Sequence, residues 1–154
     1  MLVYRITFKT FSNALLAPGL AGRWNSAGRK VIYAAQSIEL AFLESMIRRK
    51  GVGFNADFRT MIIEIPDKMK MDEINENDLE KGWRDFRDYS KCQPLGNDWY
   101  DRAETAVLKV PSAVLPHAFN YVFNSMHSNY KSIKLLKVID LVPDQRIEDI
   151  LKGK

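Results

Sequence analysis

Short runs of β-branched, aromatic and aliphatic residues recur along the chain and are separated by polar stretches that contain glycine and proline. Each run predicts a β-strand, and the polar stretches predict turns and loops. The predicted strands cover residues 2–7, 30–35, 59–65, 106–110, 113–115, 120–124 and 133–141. A long loop, residues 11–28, lies between the first two strands, and loops of this length inside a compact domain are often functional.

One amphipathic segment interrupts the strands. Ser37 is a suitable N-cap residue, and Gly51 and Gly53 end the pattern, so we predict a helix over residues 38–50. Its apolar side chains repeat at helical spacing, at Leu40, Leu43 and Ile47. Glu44 projects from the same face, where a carboxylate either reaches the edge of a cleft or stays solvated at the margin of the apolar stripe.

The stretch from residue 67 to residue 98 is polar and rich in turn residues, and a short helix is predicted over residues 72–81. Four aromatic side chains in and after it are expected to pack in the core or under a lid: Trp83, Phe86, Tyr89 and Trp99. A C-terminal helix is predicted over residues 145–151. Because no repeat or linker divides the chain, we predict a single compact α+β domain over residues 1–154, with a mixed β-sheet core and flanking helices.

The composition is that of a globular protein without a membrane span. Of 154 residues, 46% are hydrophobic and 27% are charged, and no apolar run approaches the ~20 residues that cross a bilayer. The single cysteine, Cys92, excludes an internal disulfide. Residues 1–6 lack the pattern of a signal peptide, so a cytoplasmic location is expected.

The net charge of +4, from 23 basic and 19 acidic residues, is mild. A protein that binds nucleic acid through its charge usually carries a basic stripe. Here the basic cluster covers residues 48–50, where a helix is expected to end, and compensation of the helix dipole accounts for it. Direct binding of nucleic acid is therefore not expected.

Several common reaction centres are excluded. With His117, His127 and one cysteine, the chain cannot assemble a Cys/His zinc site of the usual form, and no metal is expected. The glycine fingerprints of dinucleotide-binding and P-loop proteins are absent, as is a nucleophile elbow. Ser112 follows a proline in an extended run, and no acid is evidently paired with either histidine, which argues against a Ser/His/Asp triad.

The most informative stretch covers residues 22–44, which place Arg23, Tyr33 and Glu44 around one strand-to-helix unit. Arginine offers two parallel hydrogen bonds to a phosphate, and tyrosine offers a flat face and a hydroxyl. Together they predict a pocket for an anionic, aromatic, sugar-containing ligand. An alternative stays open at each position: Arg23 pairs with a surface acid, Tyr33 belongs to the core, and Ser112 holds a turn.

Six short motifs follow one another in a specific order: residues 22–28 (Gly-Arg-Trp-Asn-Ser-Ala-Gly), 31–34 (Val-Ile-Tyr-Ala), 43–44 (Leu-Glu), 95–99 (Leu-Gly-Asn-Asp-Trp), 110–114 (Val-Pro-Ser-Ala-Val) and 120–121 (Asn-Tyr). Their order resembles that of the RES-domain proteins, a family named after an arginine, a glutamate and a serine. In this chain, the residues that resemble these three are Arg23, Glu44 and Ser112. The resemblance extends from residues 4–6 to residues 138–140, essentially the whole chain.

The resemblance implies the toxin half of a bacterial toxin–antitoxin pair, with an Xre-like helix-turn-helix antitoxin as partner and a fold similar to that of ADP-ribosylating toxins. Members of the family deplete cellular NAD, some as NAD phosphorylases or glycohydrolases and others as protein ADP-ribosyltransferases. NAD is then a substrate rather than a permanently bound cofactor, and inorganic phosphate is a co-substrate. The sequence leaves a homodimer open.

The resemblance also implies roles for the site residues. Cleavage of the nicotinamide–ribose bond passes through an oxocarbenium-like state and expels a pyridinium that needs no general acid, so one carboxylate suffices. Glu44 is expected to offset the developing charge and Arg23 to clamp phosphates, while Tyr33 stacks on nicotinamide. Ser112 is expected to position a ribose or phosphate oxygen. The remaining candidates for NAD binding are Arg5, Trp24, Asn120 and His127, and Arg29 or Lys30 can exchange roles with Arg23.

Three functions therefore remain open. The first is an NAD-degrading toxin that transfers ADP-ribose to phosphate or water. The second is a protein mono-ADP-ribosyltransferase, because the acceptor is whichever nucleophile reaches the anomeric carbon. The third is a non-catalytic protein that uses its mild positive charge to bind nucleic acid or an acidic partner.

Overall fold

In the computed structural model, which describes residues 1–49 and 54–153, one seven-stranded sheet forms the centre of the protein. Its strands are β1 Leu2–Phe8, β2 Val31–Ala35, β3 Phe58–Glu64, β4 Asp72–Glu73, β5 Val107–Pro111, β6 Phe119–Asn124 and β7 Lys134–Asp140. Their order is β4-β5-β6-β2-β1-β3-β7, and only β4 and β5 run parallel among these neighbours. The predicted α+β class with a mixed sheet is confirmed.

Both faces of the sheet are buried, because successive side chains of a strand point to opposite sides. On β6, Phe123 joins the cluster of Val3 and Ile63 on one face. Its neighbour Val122 joins the cluster of Trp99 and Leu108 on the other face. The central strands therefore read as continuous apolar runs, which made them recognisable in the sequence.

Three helices lie around the sheet within the described residues: α1 Ile38–Arg48, α2 Gln93–Arg102 and α3 Gln145–Leu151. The Ser37 hydroxyl caps α1 by accepting a hydrogen bond from the Leu40 amide at 3.2 Å, and α1 packs against β1 and β2. The start of α1 at Ile38 and both ends of α3 agree with the prediction. The predicted end of the first helix, residues 50–53, lies outside the described residues.

Two predicted elements are wrong, and helix α2, Gln93–Arg102, was not predicted. Residues 72–81 form no α-helix: Asp72–Glu73 pairs with β5, and a single 3₁₀ turn, Glu76–Asp78, follows. Residues 113–115 form a turn rather than a strand, since β5 ends at Pro111 and the chain reverses through His117, whose φ is 60°. Pairing with a neighbouring strand decided both outcomes, and local pattern does not report it.

The sheet opens between its two central strands. β1 pairs with β3 along its whole length, from Leu2 to Phe8, but it pairs with β2 only at Tyr4 and Ala35. Beyond that point the strands separate. We call the opening between residues 5–8 and residues 31–34 the crevice.

Candidate functional site

A cavity of about 200 Å³ occupies the crevice and is covered by α1. Its walls come from β1, from residues 33–35 of β2 and from one face of α1, with Phe58 and Asn120 completing the lining. Four residues predicted from the sequence line it: Arg5, Tyr33, Glu44 and Asn120. The split in the sheet therefore creates the site, because a continuous β1–β2 ladder would fill this space with backbone hydrogen bonds.

The carboxylate of Glu44 is held by one of its two oxygens. Oε1 accepts hydrogen bonds from the Ser112 hydroxyl at 2.8 Å and from the Asn120 side-chain amide at 2.6 Å. Within the described part of the chain, no hydrogen bond reaches Oε2. One oxygen thus fixes the side chain, and the other is available to a ligand in the cavity, a preorganised arrangement for stabilising positive charge.

Ser112 contacts the carboxylate of Glu44 but does not line the cavity. It lies directly after β5, is 1% exposed, and donates its only hydroxyl hydrogen to Glu44. Its oxygen accepts hydrogen bonds from the amides of Val114 and Leu115 at 3.1 and 3.2 Å. The geometry therefore combines the two sequence interpretations: Ser112 holds a turn, and through that turn it orients the carboxylate.

Arg5 occupies the point where the strands part. Its Nη1 donates to the backbone oxygen of Tyr33 at 2.8 Å, a carbonyl that β1 does not pair with. Burial, and to a smaller extent the charge of Arg48, lowers the pKa of Arg5 to about 10. A half-buried cation is costly, so its placement in a cavity wall is typical of an anion site.

The face that α1 turns to the crevice differs from the predicted one. Ala41, Glu44 and Arg48 line the cavity at helical spacing, whereas Ile47, assigned to the apolar stripe, is 57% exposed. Arg48 and Arg49 both belong to the cavity wall. The basic cluster at the end of α1 is therefore more than a counter-charge to the helix dipole, and its third member, Lys50, lies outside the described residues.

Tyr33 is fixed by its hydroxyl. The hydroxyl donates to Asn25 Oδ1 at 2.6 Å and accepts from the Trp24 amide at 3.0 Å. Burial raises the pKa of Tyr33 well above its ordinary value. The hydroxyl is thus committed to the protein, and the ring is the part of Tyr33 that remains for a ligand.

Arg23 lies outside the cavity wall. Its guanidinium donates to the backbone oxygens of Trp83, Arg84 and Asp85, and it stacks over the ring of Tyr89 at 4.8 Å. The structure thus gives Arg23 the task of holding the turn at residues 83–85. The phosphate clamp predicted for it has no support in this geometry, because most of its hydrogen-bonding capacity is already used.

Four other candidates also lie outside the cavity wall. Trp24 is 2% exposed and packs with Trp83, so its ring belongs to the core. His127 accepts a hydrogen bond from the Asn129 amide at the start of a 3₁₀ turn. The two cations considered as substitutes for Arg23 are Arg29, which pairs with Asp101 at 2.6 Å, and the exposed Lys30.

Helix α2 contributes residues that the sequence reasoning missed. Gln93 donates to the backbone oxygens of Gly22 and Asn25, and Asn97 exchanges two hydrogen bonds with Ser26 at 2.9 and 2.7 Å. Gly96 allows close approach, since a Cβ there would lie 1.8 Å from the Trp24 oxygen. The signals were present in the motif at residues 95–99 and in the proline at the first turn of α2.

The sequence matches the model of the RES domain over residues 2–145, nearly its whole length. The chain belongs to the RES domain family. This RES-domain protein is 32% identical over 149 residues to "Toxin Res" of Pseudomonas putida, an alignment that covers 96% of this chain and 99% of that protein. It is 31% identical over 128 residues to "Prs ADP-ribosylating toxin" of Sphingobium sp., with coverage of 82% and 80%.

The fold is also found among solved structures. The RES-domain protein resembles a chain of the crystal structure of the M. tuberculosis MbcT–MbcA toxin–antitoxin complex, with a TM-score of 0.75 and 20% identity. The match covers 99% of this chain and 89% of that one. At this identity the likeness shows a shared fold.

The described residues contain neither a membrane-spanning helix nor a cluster of metal-binding side chains. No helix among them is long and apolar enough to cross a membrane. In the same part of the chain, no group of three or more His, Cys, Asp or Glu side chains is placed to hold a metal ion.

Proposed function

We propose that this RES-domain protein is an NAD-consuming toxin that cleaves the nicotinamide–ribose bond and transfers ADP-ribose to phosphate or water. The observation that carries the proposal is the carboxylate of Glu44, anchored through Oε1 and open at Oε2 in a cavity whose wall contains arginines. The name of one relative, a Res toxin, supports the toxin role, and the name of another, an ADP-ribosylating toxin, supports the transfer of ADP-ribose.

The reaction suits a site with one carboxylate. As the bond between nicotinamide and ribose lengthens, positive charge develops on the sugar, and a fixed carboxylate stabilises it without reorganisation. The nicotinamide ring takes the electron pair of the breaking bond and leaves neutral, so no acid is required. Glu44 offers Oε2 to a ribose hydroxyl or to the developing cation, while Ser112 and Asn120 keep the side chain in place.

The remaining walls fit the other parts of the substrate. Aromatic rings of Tyr4, Tyr33 and Phe58 line the cavity and offer flat faces to a cationic nicotinamide ring. Arg5 and Arg48 offer charge to the phosphates. A cavity of about 200 Å³ accommodates the nicotinamide riboside part of NAD, and the rest of the dinucleotide lies along the open mouth.

A second acceptor is supported by one relative. The Sphingobium protein is named an ADP-ribosylating toxin. Transfer to a protein differs from transfer to phosphate only in the nucleophile that reaches the anomeric carbon, so the same Glu44 serves both reactions. The products distinguish them.

A toxin of this kind requires a partner that restrains it. We propose that an Xre-like helix-turn-helix antitoxin covers the mouth of the crevice between residues 11–28 and Glu44, and that it acts in the cytoplasm. A toxin–antitoxin complex is the setting of the structural neighbour. The loop offers exposed apolar side chains at Phe11, Leu16 and Leu20, as a protein-binding surface would. Inhibition should then be competitive with NAD.

The proposed activity is tested by incubating the purified protein with NAD, with and without phosphate, and measuring released nicotinamide and the sugar products. We expect nicotinamide in both conditions, ADP-ribose in water and its phosphorylated form with phosphate. A radiolabelled NAD experiment with cell extract detects transfer to protein. NAD that stays intact for hours at high protein concentration would refute the enzymatic assignment.

A further inference from the structure

Two arginines in the wall of the crevice, Arg5 and Arg48, have no carboxylate partner among the described residues. Arg5 comes from β1 and Arg48 from the last turn of α1, and both line the cavity. Within residues 1–49 and 54–153, neither forms an ion pair with an aspartate or glutamate.

Other arginines of the protein behave differently. Those that form ion pairs with carboxylates are Arg29, Arg59, Arg84, Arg87, Arg102 and Arg146. Arg23 instead places its guanidinium on three backbone oxygens. Against this background, two guanidinium groups that line one cavity and form no ion pair with a described carboxylate are a distinct feature of the crevice.

The two charges also affect each other. Arg5 gives one N–H to the Tyr33 carbonyl, and the rest of its fork makes no hydrogen bond with a described residue. The charge of Arg48 is felt at Arg5, where it disfavours the protonated form. Two neighbouring cations, of which Arg5 has reduced access to water, destabilise the empty site, and an anion between them removes that repulsion.

We propose that Arg5 and Arg48 together form an anion subsite of the crevice that takes a phosphate group. The identity of the ligand rests on the proposed function. Arg48 lies one helical turn after Glu44 on the same face of α1, so the subsite places a phosphate next to the carboxylate. Arg5 is anchored by the sheet and fixes the position, whereas Arg48 is exposed and completes the subsite when the anion arrives.

The phosphate has two chemical sources. One is the pyrophosphate of NAD itself. The other is free phosphate, one of whose oxygens forms a bond to the anomeric carbon while the carbon–nitrogen bond breaks and its electron pair passes to the nicotinamide ring. Both sources need the same pair of guanidinium groups, and kinetics separates them.

The test uses Arg48→Gln and Arg48→Lys, with Lys137→Gln as a control that removes the same charge from an exposed position on β7. Arg48 is exposed, so its variants should fold as the parent does. If the subsite holds the pyrophosphate, Arg48→Gln raises KM for NAD about tenfold or more without phosphate present. If it holds free phosphate, KM for NAD is unchanged, half-saturation by phosphate rises by a similar factor and the product shifts to ADP-ribose. Arg48→Lys should recover part of either loss.

A second measurement does not depend on turnover. Inorganic phosphate or pyrophosphate is titrated into the protein by calorimetry, and binding should weaken in Arg48→Gln but not in Lys137→Gln. If NAD is not consumed by the parent protein, the proposed function fails while this titration still decides the subsite. If the parent consumes NAD but Arg48→Gln matches Lys137→Gln in kinetics and titration, the subsite is refuted and the enzyme assignment stands.

Discussion

The side-chain amide of Asn120 donates a 2.6 Å hydrogen bond to Oε1 of Glu44, although 76 residues separate the two in sequence. Asn120 lies on β6, next to Ala35 of β2, and Glu44 lies on the helix that follows β2. The central strands thus bring the donor to the carboxylate. Because the donor is a neutral amide, it fixes the carboxylate oxygen without forming an ion pair with it.

Replacing Glu44→Gln should abolish most of the activity and leave the fold intact. The glutamine oxygen can still accept from Ser112 and Asn120, but the charge that stabilises the developing cation is lost, which costs ~10²–10³ in rate at a preorganised site. Nicotinamide release measures the rate, and thermal unfolding checks the fold. Glu39→Gln, at an exposed position of the same helix, is the control. Turnover near the parent value would show that Glu44 takes no part in the reaction.

Replacing Ser112→Ala should affect stability more than chemistry. The change leaves the amides of Val114 and Leu115 without their acceptor in a partly exposed turn, which costs about 1 kcal/mol of unfolding free energy. Turnover should fall less than in Glu44→Gln, since Asn120 still holds the carboxylate. Urea denaturation and nicotinamide release measure both effects, with Ser128→Ala at an exposed serine as control. A larger loss of rate than in Glu44→Gln would mean that Ser112 touches the substrate.

Arg23→Lys should reduce stability. A lysine keeps the charge but cannot span three backbone oxygens at residues 83–85 or lie flat over Tyr89. We expect a lower Tm, with KM for NAD in the folded protein changed less than by Arg48→Gln. Unchanged stability combined with a large rise in KM would restore the phosphate clamp predicted for Arg23 from the sequence.

Tyr33→Phe should destabilise the protein and alter its alkaline behaviour. The change leaves the buried Asn25 oxygen and the Trp24 amide without partners, at a cost of about 1–3 kcal/mol. The native pKa of Tyr33 is raised above its ordinary value of 10.0, so its contribution to stability is complete below pH 10 and declines as pH rises above it.

Denaturant titrations between about pH 9 and 11 on the parent and on Tyr33→Phe test this dependence. The difference in stability between the two proteins should shrink as pH rises through this range. Tyr121→Phe is a comparison rather than a pH-neutral control: burial also raises the pKa of Tyr121, so the same pH trend is expected, but its hydroxyl makes no hydrogen bond with a described residue, so the change should cost less stability at about pH 9. A difference that stays constant with pH would show that the hydroxyl titrates normally.

Local pattern determined much of the fold. Continuous apolar runs identified the central strands, and Ser37 marked the start of α1, because these features depend on burial and capping within a few residues. The failures at residues 72–81 and 113–115 have one cause. There the conformation depended on pairing with a strand brought alongside by the rest of the chain.

The sequence by itself predicted residue types for the candidate site: Glu44 and Ser112 from their chemistry and their place in the motifs, and Asn120 through the resemblance to the RES-domain family. Only the tertiary structure decided which atoms meet. It joins these three residues through one carboxylate oxygen and places the Arg23 guanidinium on a backbone turn, so that the phosphate role of Arg23 stays a prediction. It also brought Arg48 to the cavity, because the separation of β1 from β2 creates the space that these side chains line. Strand separation is a long-range property of the sheet, and no local pattern encodes it.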